Sequence, residues 1–192
     1  MLPLLLASSS VYRRELLARL RLPFSCSSPD IDESHHTDES ASDLVKRLSL
    51  EKARALAGSH PDHLIIGSDQ VAVLNGRIIG KPHTFDKARQ QLLDASGASV
   101  SFLTGLTLLN SRTGQHQTDC VPFTVHMRTL SAEQIERYLH AEQPYDCAGS
   151  FKAEGLGVSL FQRTEGDDAT SLIGLPLIRL VDMLTHEGIS IP

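Results

Sequence analysis

The first twenty residues constrain the fold more than any other part of the chain. Residues 2–7 form an unbroken apolar run. It is far too short to span a membrane and reads as a buried strand. Three serines follow, and Leu16, Leu17 and Leu20 then recur at helical spacing, with Ser10 placed as N-cap of a helix over 11–20. Strand and helix patterns keep mixing after that. Helices are predicted over 42–57, stopping at Gly58, over 84–97 with Thr84 as N-cap, and over SAEQIERYLH with a Ser131/Gln134 capping box. A last helix begins near Pro176 and ends before Gly188. Strands are predicted over HLIIGSDQVAVL, over IIGKP after an NGR turn, and over 100–109 and 116–128 around SRTG. Residues 145–163 are Gly-rich and partly strand, and FSCSSPDIDESHHTDES is a polar loop. This order predicts an α/β fold, a mixed twisted sheet flanked by helices, in a single domain over 1–192.

Composition narrows the function. A net charge of −5 over 192 residues argues against a nucleic acid polymer or an anionic membrane as partner, since either needs a broad basic surface. Cys26, Cys120 and Cys147 are far apart and form no C-x-x-C pair, so neither a disulfide framework nor a structural zinc site is expected. A reducing cytoplasm is the simplest setting. His35 and His36 read as a solvated loop feature.

Several charges are oddly placed. Arg13 and Arg14 open a helix, where a cation opposes the helix dipole. The arrangement makes sense if an anion sits in front of that helix, met by free backbone N–H groups and by Ser8, Ser9 and Ser10. In the second helix the apolar stripe is Leu44, Val45, Leu48, Ala55 and Leu56, and Lys52 falls in its middle. A lysine rarely occupies a buried face unless it is paired or snorkels out. A salt bridge and a ligand phosphate both account for it, whereas Lys46, Arg47 and Arg54 are unremarkable. Lys81 stands between Gly80 and Pro82 in a rigid turn. Arg13, Lys52 and Lys81 together would suit a polyphosphate. Asp69 follows the apolar run HLII at what reads as a strand end, where the active-site residues of α/β proteins gather. Of the acidic loop, Glu33 is singled out as a further oxygen donor. Mg²⁺ prefers one or two carboxylates with substrate phosphates and waters.

LASSSVYRRELL, DES, EKA, GSDQVAVLNGRIIGKP and CAGSFKAEGLG, in that order and spacing, resemble the Maf family of nucleotide pyrophosphatases almost from end to end. The resemblance implies an elongated α/β fold of the Maf/ITPase-like kind, with two lobes around a substrate cleft, often dimeric. It implies hydrolysis of the α–β phosphoanhydride of a nucleoside triphosphate with a divalent cation, Mg²⁺ or Mn²⁺. It implies Ser8, Arg13, Lys52 and Lys81 at the phosphates, Glu33 and Asp69 at the metal, and Asp69 as catalytic base. Tyr12, Gln70 and Glu154 resemble the branch acting on 7-methyl-GTP, in which the first of these is usually Trp. A methylated guanine is cationic and is attracted to an aromatic face. Glu154 would accept from its N1–H and N2–H edge. Alternative readings are the same reaction on dTTP, UTP or another non-canonical nucleotide, and a nucleotide-sensing cell-division regulator with vestigial hydrolysis.

Overall fold

The computed structural model describes residues 2–192. In chain order the elements are β1 (Leu4–Ala7), α1 (Val11–Ala18), β2 (Phe24–Ser27), α2 (Ala41–Ala57), β3 (Leu64–Leu74), β4 (Arg77–Ile79) and α3 (Phe85–Ala95). There follow β5 (Ser99–Asn110), β6 (His116–Met127), α4 (Ala132–Glu142), β7 (Phe161–Glu165), α5 (Ala169–Ile173) and α6 (Leu177–His186). The strands form a seven-stranded mixed sheet in the order β2-β1-β3-β5-β6-β7, with β4 paired to β3. Two compact units divide the chain. One holds the residues up to Gln70 with Thr104–Val121 and Asp168–Pro192; the other holds Val71–Leu103 and Pro122–Asp167.

In the first unit β1 runs parallel to both β2 and β3, with Leu4 opposite Phe24 on one side and Leu64 on the other. The chain leaves β1 for one neighbour through α1, then crosses to the other neighbour through α2. The carboxyl end of β1 is therefore a topological switch point, where ligands of open α/β sheets bind. The two-residue period of the strands builds two apolar faces. Leu4, Leu6, Leu64, Ile66, Leu106 and Leu108 pack with Leu16 and Leu17 of α1 and Leu180, Met183 and Leu184 of α6. Leu5, Ala7, Ile65 and Leu109 pack with Ala53 and Leu56 of α2.

Two glycines set how closely α2 approaches the sheet. A Cβ on Gly67 of β3 would lie 2.0 Å from the Ser49 carbonyl oxygen, and one on Gly105 of β5 would lie 2.0 Å from that of Val45. The helix backbone thus rests directly on the sheet backbone, and no side chain fits between them.

In the second unit β3 and β4 join through Asn75 and Gly76, both at positive φ (51° and 75°), as a two-residue primed turn requires. The predicted Thr84 cap and the Ser131/Gln134 capping box are both formed. Phe151 sits edge-on to Phe102 and Phe161, with ring centroids 5.4 Å and 4.9 Å apart.

The sequence expectations need correction at five places. Residues 24–27 are an edge strand rather than loop; Phe24 packs on the core and the backbone pairs with β1. The short helix α5 was not expected. Asp69 lies inside β3, not at its end, because the strand continues to Leu74. Ala55 is exposed, and Ala53 takes its place on the buried face of α2. Gly58 follows α2 with an ordinary helical φ of −68°, so it stops the helix without a left-handed turn.

Gly105→Ala is expected to lower stability in urea unfolding by about 2–3 kcal/mol, the cost of overpacking against a rigid backbone. Gly58→Ala meets nothing within 4 Å and is expected to raise stability by about 0.5 kcal/mol.

Candidate active site

Lys52 is the centre of the site in the first unit. It is 7% exposed, on the face of α2 that meets the sheet. Its ammonium Nζ lies 2.6 Å from Asp69 Oδ1 and 2.8 Å from Glu33 Oε1. An uncompensated ammonium here would cost several kcal/mol in lost hydration; two carboxylates offset that. Asp69 is 8% exposed and stands three residues past Ile66, the last β3 residue paired to β1. The salt-bridge account of Lys52 is therefore the one observed.

Arg13 comes to the same place from the first turn of α1. Its Nε donates to the Gly174 carbonyl oxygen at 2.8 Å. Burial pulls its pKa below the usual value, while Asp69 and then Glu33 pull it back up; it stays a cation, as arginine does in proteins. Ser10 caps α1 by accepting from the Arg13 N–H, and buried Ser8 accepts from the Ser10 N–H at 3.1 Å. The serines thus shape the turn between β1 and α1. Tyr12 is half-buried beside Arg13 in that first turn.

The acidic loop is more ordered than a solvated charge run. Asp32 Oδ1 accepts from the Ser34 N–H at 2.9 Å, turning the chain around Glu33. Arg47 of α2 holds the far end: Nε and Nη2 donate to the two Glu39 oxygens at 2.6 Å and 2.9 Å. Nη2 also donates to the Ser34 carbonyl at 2.9 Å, and Nη1 to Glu51 at 3.1 Å. The hydrogen bonds from Arg47 draw the Glu39 carboxyl down to about 2. Arg47 is thus not the unremarkable surface arginine its spacing suggests. Only its (i, i+4) partner Glu51 was legible; Glu39, eight residues earlier and across a loop, was not.

A second group missed by sequence reasoning fastens α5. Gln70 Nε2 donates to the carbonyls of Ser171 (2.7 Å) and Leu172 (3.1 Å) and to Thr104 Oγ1 (3.0 Å). Thr104 donates to the Ser171 carbonyl at 2.9 Å, and Ser68 to the Gly174 carbonyl at 3.0 Å. Buried Asp168 caps α5 through the Thr170 N–H and reaches the first turn of α6 through the Ile178 N–H. Gln70, expected at the substrate, spends its amide nitrogen on the α5 carbonyls and the Thr104 hydroxyl.

Lys81 and Glu154 belong to the second unit, and both are exposed. Gly80 accepts from Gln91 Nε2 at 3.1 Å, and His83 N–H donates to the Tyr145 carbonyl at 3.0 Å, which bracket Lys81. Glu154 stands in a turn flanked by two bonds: Lys152 N–H donates to the Tyr138 hydroxyl and Leu156 N–H to Glu142. A Cβ on Gly157 would come 2.2 Å from the Lys152 carbonyl, so only glycine permits that turn. Cys147 is pushed up to about 12 by burial and then by Asp146, which keeps it a thiol at neutral pH. All three cysteines are free.

The donor set fits a divalent ion held jointly with phosphate. Two carboxylates, Glu33 and Asp69, reach one point, now taken by the Lys52 ammonium. Mg²⁺ takes one or two carboxylates and completes its shell with phosphate oxygens and water. Among the described residues no group of three or more His, Cys, Asp or Glu converges as an all-protein metal site, and no helix is long and apolar enough to cross a membrane.

A chain 82% identical over 192 residues, all of both proteins, is the 7-methyl-GTP pyrophosphatase of Pseudomonas fluorescens. That of Pseudomonas aeruginosa is 70% identical over 189 residues, 98% of each chain. The solved structure of a HAM1 protein from Coxiella burnetii superposes with a TM-score of 0.57 at 16% identity, covering 97% of this chain and 100% of that one, a likeness of fold. The family model of Maf-like proteins matches residues 3–187, nearly the whole length, and the chain belongs to that family.

Proposed function

We propose that this chain is a nucleoside triphosphate pyrophosphatase that hydrolyses 7-methyl-GTP to 7-methyl-GMP and diphosphate. The observation that carries the reading is the buried Lys52–Asp69 pair, joined by Arg13 and by the exposed Glu33, at the switch point of the sheet. The curated relatives named 7-methyl-GTP pyrophosphatase, 70–82% identical across the chain, support the substrate.

The residues divide the work by charge. Arg13, Lys52 and Lys81 are the cations assigned by this reading to neutralise the triphosphate. Asp69 takes the proton from a water directed at the α-phosphorus. Lys52 pairs with the Asp69 carboxylate; a phosphate that competes for that ammonium would free the carboxylate to act as base. A divalent cation held by Glu33 and Asp69 would supply further neutralisation of the phosphate oxygens and lower the pKa of water. Electrostatic stabilisation of this kind accounts for most of the catalysis of phosphoryl transfer. Tyr12 would stack on the cationic base, and Glu154 would accept from its N1–H and N2–H edge.

This reading extends to clearance of modified nucleotides, to a homodimer, and to a cytoplasm in which Cys26, Cys120 and Cys147 stay reduced. Cross-linking and sedimentation at working concentration test the dimer.

Asp69→Asn is expected to lower kcat by about 10²-fold or more while nucleotide binding, read by calorimetry, survives; near-normal turnover would remove Asp69 as base. In a panel read by released pyrophosphate, 7-methyl-GTP is expected to exceed GTP by about tenfold in kcat/KM, the worth of one cation–aromatic contact. Tyr12→Leu is expected to erase most of that preference, and Tyr12→Trp to enlarge it. Equal rates on GTP and its methylated form would overturn the role of the base's charge, and a preference for dTTP or UTP would replace the substrate.

A further inference from the structure

We infer that Arg47 is a positioning residue for the metal-side carboxylate, and that its pairing with Glu39 latches the 32–39 loop so that Glu33 is delivered to Lys52 and Asp69. The inference rests on the reading of Glu33 given above and goes beyond it, because Arg47 touches neither Lys52 nor Asp69.

Three observations carry it. First, Glu33 is an exposed residue that meets a buried one. Its side chain is 58% exposed, against 9% for the Lys52 side chain it meets. Local packing is therefore too slight to hold it, and the course of its loop must do so. Second, all three guanidinium nitrogens of Arg47 are used: Nη1 bonds Glu51 on α2 itself, while Nε and Nη2 grip the loop at two separated points. The Glu39 carboxylate is bound through both oxygens, and the Ser34 carbonyl, next to Glu33, receives a bond from Nη2. A planar guanidinium can make this fork-like grip; an ammonium cannot reproduce it. Third, the grip is well shielded for a surface pair, with side-chain exposures of 18% and 10%, so it is stronger than an ordinary solvated ion pair. Glu39 returns bonds to the loop itself, accepting from the His36 N–H at 3.2 Å, and its carbonyl meets the His35 ring at 2.8 Å. The stretch between Ser34 and Glu39 is thereby closed on itself and fixed to α2.

Arg47 and Lys52 lie on the same helix, five residues apart. One helix thus presents the ammonium that receives Glu33 and the guanidinium that aims it. Outer groups that orient a metal-binding carboxylate typically contribute about 10–100-fold in metal affinity.

The test uses the full-length protein with a 7-methyl-GTP analogue bearing a methylene bridge between the α and β phosphorus. Mn²⁺ binding is read by electron paramagnetic resonance, and hydrogen exchange is followed over residues 32–39. Arg47→Ala is expected to weaken Mn²⁺ about tenfold and to expose the amides of Ser34, His36 and Glu39 to exchange. Arg47→Lys is expected to fall between it and the parent. Glu39→Gln breaks the latch from the loop side without altering α2, and is expected to move both readouts in the same direction. Glu51→Gln removes only the contact within α2 and is expected to behave as the parent. If Arg47→Ala and Glu39→Gln bind Mn²⁺ as the parent does while Glu33→Gln does not, the latch is overturned and the reading of Glu33 stands. If Glu33→Gln also binds Mn²⁺ normally, the reading of Glu33 fails and the latch fails with it. If Glu51→Gln is as weak as Arg47→Ala, the effect belongs to the helix and the latch is overturned.

Discussion

The close seating of α2 on β3 and β5 is the contact on which the site depends. Gly67 and Gly105 remove the side chains that would hold the helix away, and the Ser49 and Val45 carbonyls occupy the space. That approach sets the reach of Lys52, whose ammonium must arrive within hydrogen-bond distance of a carboxylate on the strand beneath. A helix held farther off, with side chains interleaved, would leave the ammonium and Asp69 buried without each other. Interiors do not tolerate that, since two unpaired charges cost far more than the packing they displace.

From that contact outward, each group is held by another rather than by solvent. Lys52 is held by Asp69 and Glu33; the loop bearing Glu33 is held by Arg47; Arg13 is held by the Gly174 carbonyl at the end of α5. The carbonyls of α5 are in turn gathered by Ser68, Gln70 and Thr104. Ser68, Asp69 and Gln70 are consecutive on β3, so they alternate between its faces. Asp69 addresses Lys52, while its two neighbours fasten the segment that holds Arg13. A three-residue stretch therefore supplies both a buried carboxylate and the frame that holds Arg13.

Such preorganisation suits a reaction on a polyanion. Charge-stabilising groups act best when they need not reorganise as the reaction proceeds. The cations here are fixed by bonds to backbone and to carboxylates. The pairing of Lys52 with Asp69 keeps both buried charges compensated.

Much of this was legible in the chain itself. Period-two and helical spacing, caps at Ser10, Thr84 and Ser131, and a lysine inside an apolar stripe are local properties, set by backbone geometry and the cost of burying charge. They were enough to expect an α/β fold and to mark Arg13, Glu33, Lys52 and Asp69. Other features could be decided only by distant parts of the chain meeting. Strand β2 exists because β1 offers it backbone partners and the core receives Phe24. Arg47 matters because Glu39 and Ser34 fold back upon it, and Gln70 because α5, a hundred residues later, lays its carbonyls alongside. Local pattern reports the hydrophobic and conformational preferences of neighbours in sequence, whereas hydrogen-bond partners far apart in the chain are chosen only when packing has brought them together.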